Sequence, residues 1–164
     1  MGVSEIKYLA KSQRPIAKGQ TPLTMNDIRT HTDQILHTKA VRITPMRQLL
    51  LDYILTQNQA VGLNELEAEF PKADRITIYR TLKTFEEKGI LHSIEQGHSE
   101  VQYALCHEEC GPEHHVDRHP HFACERCGRI ICLEEVFIPR VAIPQGFIQH
   151  DVEMTIKGVC GECG

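Results

Sequence analysis

From about residue 24 to residue 90 apolar residues recur every three or four places, and in segments beyond them they recur every second place. The first period marks helices with one buried stripe, the second strands with one buried face. Thr24 is placed to cap a first helix with Ile28, Ile35 and Leu36 on one side. Thr44-Pro45 is a cap followed by proline at the first helical position. After it Met46, Leu49, Leu50, Tyr53 and Ile54 form a stripe expected to be buried. Asn64 with Glu67 makes a capping-box pattern before Leu66 and Phe70. Asp74 caps a fourth segment, RITIYRTLKTFEEKG, which Gly89 ends. On it Ile78, Leu82 and Phe85 should face a core, while Thr77, Arg80, Thr81 and Thr84 fall on other faces with Tyr79 beside them.

After Gly89 the segments ILHSI and VQYAL flank Glu95-Gln96-Gly97-His98, a hairpin with a glycine turn. Helices followed by a hairpin is the order of a winged helix-turn-helix, and the fourth helix offers Arg, Tyr and Thr side chains suited to a DNA major groove. Beyond residue 106 the chain reads as loop up to His121, then as a short strand over Arg129–Leu133. A final strand is expected to place Ile148, His150, Val152, Met154 and Ile156 on one face. His150 there reads first as a core histidine and second as a ligand. Residues 1–24 show little periodicity and hold Lys7, Lys11, Arg14 and Lys18 against one acid, Glu5: a loose tail, or a basic arm for nucleic acid.

Charge divides the chain in the same place. Residues 1–90 carry 13 Lys+Arg and 10 Asp+Glu, a balance of +3, and residues 91–164 carry 5 and 12, a balance of −7. Eight of ten histidines and all seven cysteines also follow residue 90. Two domains with different partners are expected, over 25–105 and 106–164, behind the 1–24 extension. No apolar run is long enough to span a bilayer, and no basic-then-apolar leader opens the chain, so a cytoplasmic location is expected. In that reducing setting cysteines bind metal more often than they pair as disulfides.

Cys124-x-x-Cys127 and Cys160-x-x-Cys163 each bring two thiols to one knuckle, and each is followed by glycine. Four thiolates around Zn2+ make a closed, structural site with no position left for substrate. A second set of soft donors comprises His92, Cys106, Cys110, His119, His121 and Cys132, with His107, His114 and His115 nearby. Mixed thiolate and imidazole donors favour zinc over Fe2+ or Mn2+. Neither H-E-x-x-H nor H-x-E followed by P-C-x-x-C is present, which argues against a zinc hydrolase or deaminase. A zinc-ribbon module without DNA binding would leave Asp74–Gly89 unexplained.

Five motifs together resemble the ferric uptake regulator family of bacterial metal sensors. They are R-x-T-P-x-R at Arg42–Arg47, T-I-Y-R-T-L at Thr77–Leu82, E-x-x-G at Glu86–Gly89, H-x-H-x-x-C-x-x-C-G at His119–Gly128, and G-x-C-x-x-C at Gly158–Cys163. The resemblance implies an α+β chain: a winged helix-turn-helix that binds A·T-rich palindromic double-stranded DNA, then a small α/β domain that forms a homodimer and carries structural zinc. It implies no enzyme and no membrane partner. It maps a regulatory metal onto His92, Cys106, His119 and His121. Cys132 stands where some members have an acid, and Cys110 and His150 are further candidates. Arg118, Pro120 and Val152 depart from a second regulatory site of the family, which leaves the chain without that site's usual donors. On this reading Tyr79 and Arg80 read bases, and Arg47, Thr77 and Lys83 meet phosphates, with Arg75 also on the DNA side. The expected function is a zinc-sensing repressor of metal-uptake genes; the alternative is an iron- or peroxide-sensing regulator of the same family.

Overall fold

A computed structural model describes residues 24–57, 59–95, 100–106, 119–133, 136–150 and 152–164. The basic extension lies outside these, apart from Thr24, as do the hairpin turn at 96–99 and the segment 107–118 with Cys110. The described elements are α1 (Met25–Thr38), α2 (Pro45–Thr56), β1 (Val61–Gly62), α3 (Leu63–Glu69), α4 (Arg75–Glu87), β2 (Leu91–Ile94), β3 (Gln102–Leu105), β4 (His121–Cys124), β5 (Ile130–Cys132) and β6 (Thr155–Gly158). They form four helices beside a sheet ordered β1-β3-β2, followed by a second sheet ordered β5-β4-β6. This is the expected α+β architecture.

The caps begin the helices where the sequence places them. The Thr24 hydroxyl accepts from the Asp27 amide, and the Asp27 carboxylate accepts from the Thr24 amide, closing a capping box. Asp74 accepts from the Thr77 amide at 3.1 Å. At the far end of α4, Gly89 turns left-handed with φ 63°, the Ile90 amide donates to the Phe85 carbonyl and the Gly89 amide to the Glu86 carbonyl. These are the paired bonds of a Schellman end.

α3 departs from expectation. Its cap is Gly62, which has no side chain to accept a bond. Glu100, which precedes β3, supplies the missing acceptor: its carboxylate takes the Asn64 amide at 2.7 Å and the Asn64 side-chain amide at 3.0 Å. The helix is therefore capped by the wing and not by the Asn64–Glu67 box. β1, two residues long, also escapes the pattern, because its pairing with β3 is non-local.

The core of the helical half gathers Leu36, Leu50, Leu51, Leu66, Ile78, Leu82 and Phe85, all 0% exposed. Each such side chain contributes about 1.5–3 kcal/mol on leaving water. The stripe of α2 is shifted from expectation: Leu49 is exposed and Leu51 buried. α1, α4 and β3 all pack on α2, so its second half is enclosed on several sides, Asp52 included. Thr81 is likewise buried, its hydroxyl donating to the Thr77 carbonyl. Asp52 is 3% exposed. It accepts from the Thr32 hydroxyl at 2.5 Å and from Arg29 Nη2 at 2.5 Å. Desolvation holds its carboxyl above the usual carboxylate range, against the pull of Thr32 and Arg29.

In the second sheet β4 runs antiparallel to β5 and parallel to β6. The expected long final strand is shorter: pairing covers Thr155–Gly158, and residues 148–150 and 152–154 lie outside it. His150 is exposed and not a core residue. Its apolar neighbour Ile148 is exposed too. An alternating segment buries a face only where something covers that face, and within one chain nothing described does so.

Asp52→Ala leaves the Thr32 hydroxyl and Arg29 without their shared acceptor. It is expected to cost about 2–3 kcal/mol in urea unfolding at neutral pH. The raised Asp52 value favours the protonated native form, so this residue's contribution is greatest in acid. Only this proton-linked increment is lost as the pH climbs from about 4 through the folded value; the Thr32 and Arg29 bonds persist at neutral pH, and the Ala variant lacks the slope.

Candidate metal centres and nucleic-acid interface

The first cluster joins Cys124, Cys127, Cys160 and Cys163, whose sulfurs all lie within 4.8 Å of one another. Parallel pairing sets Cys124 opposite Gly158, so the CxxC turn after β4 meets the CxxC turn after β6. Gly128, at φ 72°, lets the first knuckle turn, with its amide donating to the Cys124 carbonyl. The Cys163 and Gly164 amides both donate to the Cys160 carbonyl in the second. Arg129 pairs with Glu162 at 2.7 Å, and Arg126 donates to the Cys163 carbonyl, lacing the two turns together.

The described cysteines form no disulfide. Cys127 Sγ lies 3.8 Å from Cys160 Sγ. Tetrahedral zinc with Zn–S of about 2.3 Å sets its sulfurs about 3.8 Å apart, so the donors fit. Backbone amides of Cys127 and Cys160 hold the Cys124 thiol down to about 6. Hydrogen bonds with Cys160 and Cys127 push Cys163 up to about 12.

The second cluster joins the two sheets. His92 Nε2 of β2 stands 3.1 Å from His121 Nε2 of β4. Cys132 Sγ of β5 lies 3.9 Å from His92 Nε2. His119 is buried, with its ring centroid 5.0 Å from that of His121 and 5.4 Å from that of His92. One donor atom from each of His92, His119, His121 and Cys132 lies within 4.8 Å of the others. Register explains the convergence: His121 is the cross-strand partner of Cys132, and His119 precedes it by two residues on the same face.

On the other sheet His92 faces Ala104, and Cys106 lies two residues further, diagonal to His92. Cys106 Sγ approaches the other ring nitrogen, His92 Nδ1, at 3.7 Å. The structure therefore groups three of the four expected regulatory residues with Cys132 and sets Cys106 on the far side of the His92 ring. Cys132, a further candidate by sequence, has a central place; no local pattern shows this, because its pairing with His121 is a matter of register. His150 belongs to neither cluster, and Cys110 lies outside the described residues.

The seam between the sheets is narrow. Ala60, Ile94 and Ala104 pack against Ala123 and Ile130, with Cys132 at the margin, and the Ala60 amide donates to the Ile130 carbonyl at 2.9 Å.

The exposed N-terminal half of α4 presents Thr77, Tyr79 and Arg80. Arg75 is also exposed but is tied back, donating to Asn64 Oδ1 at 3.0 Å and to the Glu67 carboxylate. Lys83 pairs with Glu86 at 2.6 Å and sits 6.0 Å from the centre of the Tyr103 ring. Arg47, on α2, donates to the Arg42 carbonyl at 2.8 Å. Sequence reasoning passed over Ile76, which is exposed on this same helix; its odd signal is an isoleucine off the buried stripe.

The model of the ferric uptake regulator family matches residues 38–156 of this chain. The chain belongs to that family. It is therefore a metal-responsive, DNA-binding transcriptional regulator and not an enzyme. Over 136 residues it is 29% identical to the peroxide-responsive repressor PerR of Staphylococcus aureus, a match covering 78% of this chain and 86% of the relative. Its fold is similar to a zinc uptake regulator complexed with zinc and DNA, with TM-score 0.56, 23% identity, and 87% and 96% of the two chains covered. It is also similar to the Vibrio cholerae ferric uptake regulator, with TM-score 0.53, 18% identity, and coverage of 78% and 98%. At these identities the solved structures establish the fold alone. None of the described helices is long and apolar enough to cross a membrane.

For this family member, Cys127→Ser is expected to lower bound metal by one ion per chain in elemental analysis and to loosen β6 in amide hydrogen exchange. Unchanged metal content with intact protection would count against the four-sulfur site.

Proposed function

We propose that this regulator is a zinc-sensing, homodimeric repressor of metal-uptake genes that acts in the cytoplasm on A·T-rich palindromic operators. The observation that carries the proposal is the meeting of His92, from the sheet of the helical half, with His119, His121 and Cys132 from the second sheet. We assign residues 25–105 to a DNA-binding domain and 106–164 to a dimerisation domain, which places this cluster at their junction. Three imidazoles and a thiolate, with no carboxylate among the four, suit zinc better than iron or manganese. Zinc bound there would supply a cross-link between the sheets; the four-sulfur centre would hold a second, structural ion.

The residues themselves account for the coupling. His92 follows α4 by way of Gly89 and β2, so a fixed His92 ring fixes the helix that reads DNA. Cys106 meets the second nitrogen of that ring and orients it. Tyr79 and Arg80 lie free of the core to meet base edges, with Thr77 exposed on the same helix and Arg47 on α2 for phosphates. The homodimer is supported by Phe137, Phe147 and Ile148, which are 89%, 70% and 82% exposed in one chain. A second copy would cover them and give the alternating segment its missing partner. The similarity to a peroxide-responsive repressor favours an iron- or peroxide-sensing regulator as the second reading.

Two measurements test the proposal. In fluorescence anisotropy, zinc is expected to raise operator affinity about 5–150-fold over chelated protein. His121→Ala should lose most of that gain, and Arg80→Ala should bind poorly with or without zinc. Equal affinity with and without zinc, or a larger gain from ferrous iron, would overturn zinc sensing. In light scattering, Ile148→Glu is expected to shift the dimer toward monomer, and an unaltered mass would remove this face from the interface.

A further inference from the structure

The first turn of α4 carries an apolar side chain in a position where polar residues would cost nothing. Ile76 is 58% exposed, and Tyr79, one turn on, is 45% exposed, while Ile78, Leu82 and Phe85 on the buried stripe are 0%. A single exposed isoleucine is ordinary by itself. Its neighbours make this one specific. Arg75, the adjacent cation, is drawn sideways onto Asn64 and Glu67. Arg75 is thereby held toward α3, and Ile76 beside it stands exposed at the start of the helix. Tyr79 and Arg80 follow at three and four residues, which puts them on the same face. The face thus combines a branched aliphatic group, an aromatic ring and a guanidinium.

This inference rests on the proposal that α4 enters the major groove. In that groove adenine, guanine and cytosine present hydrogen-bonding edges, and thymine alone adds a methyl group. An isoleucine can offer neither donor nor acceptor, so the base it meets best is thymine. Arg80 beside it supplies the charge that draws the face to DNA. We infer that Ile76 is a specificity-determining residue that packs on the C5-methyl of one thymine in each operator half-site, and that Arg75 is a positioning residue that braces α4 on α3.

The test uses the full chain in the presence of zinc and a duplex selected by it from a random-sequence pool. Each thymine of that duplex is replaced in turn by deoxyuridine, which removes only the methyl. At one position per half-site the wild type should lose about four-fold in affinity, the weight of one buried methyl. Ile76→Ala, which favours helix and leaves the core intact, should show no loss at that position while losing as much at any other thymine as the wild type does. Circular dichroism melting should be the same for both proteins. If no thymine shows coupling to Ile76, with the duplex still bound, this inference fails and the DNA-binding proposal stands. If the pool yields no enriched sequence, both fail together.

Discussion

The proposed switch depends on one juxtaposition, the approach of His92 to His121 and Cys132 across a narrow seam of three alanines and two isoleucines. Ala60, Ala104 and Ala123 allow the two sheets to come close enough for a single backbone bond from Ala60 to Ile130. With only Ile94 and Ile130 as large apolar members, so small a seam holds the sheets together weakly. Each buried methyl is worth about 0.8 kcal/mol and one hydrogen bond about 1 kcal/mol. A seam of this kind positions the donors and leaves most of the holding energy to whatever the donors bind. Larger residues would hold the two halves together permanently and leave a metal little to change.

The two clusters differ in how their donors are supplied, and the proposed roles follow from that difference. The four sulfurs come from two turns at one end of adjacent parallel strands, within one sheet. An ion there would stabilise that sheet and alter no angle between parts. The imidazole cluster draws on β2 from one sheet and β4 and β5 from the other, so an ion there would couple two bodies. The acidic balance of the second half, −7 over residues 91–164, adds long-range attraction for cations to both.

On the DNA side the cations divide into those presented and those held back. Arg75 and Lys83 are each engaged with a carboxylate, Glu67 and Glu86. Arg80 stands exposed beside Tyr79. Surface pairs of this kind are worth little to stability. Their effect is geometric: Arg75 ties α4 to α3, α3 takes its cap from Glu100 beside the wing, and the reading helix, its brace and the wing become one unit.

Much of this was legible in the chain before folding. Caps at Thr24, Thr44 and Asp74, the Gly89 stop and the stripe of α4 act within a turn of their own residue, so local spacing determined them. The two CxxC pairs and the H-x-H motif likewise carried their chemistry in the sequence, because knuckle and strand geometry are short-range. The structure alone decided what depends on register and enclosure. It chose Glu100 over Asn64 and Glu67 as the cap of α3. It buried Leu51 and exposed Leu49, because three elements pack on α2, and it buried Thr81 on α4. It paired Cys132 with His121 and turned Cys106 to the far nitrogen of His92. It left His150 in solvent, because the face of an alternating segment is inside only when another surface closes over it. A linear pattern states which residues share a face; long-range pairing alone states what that face meets.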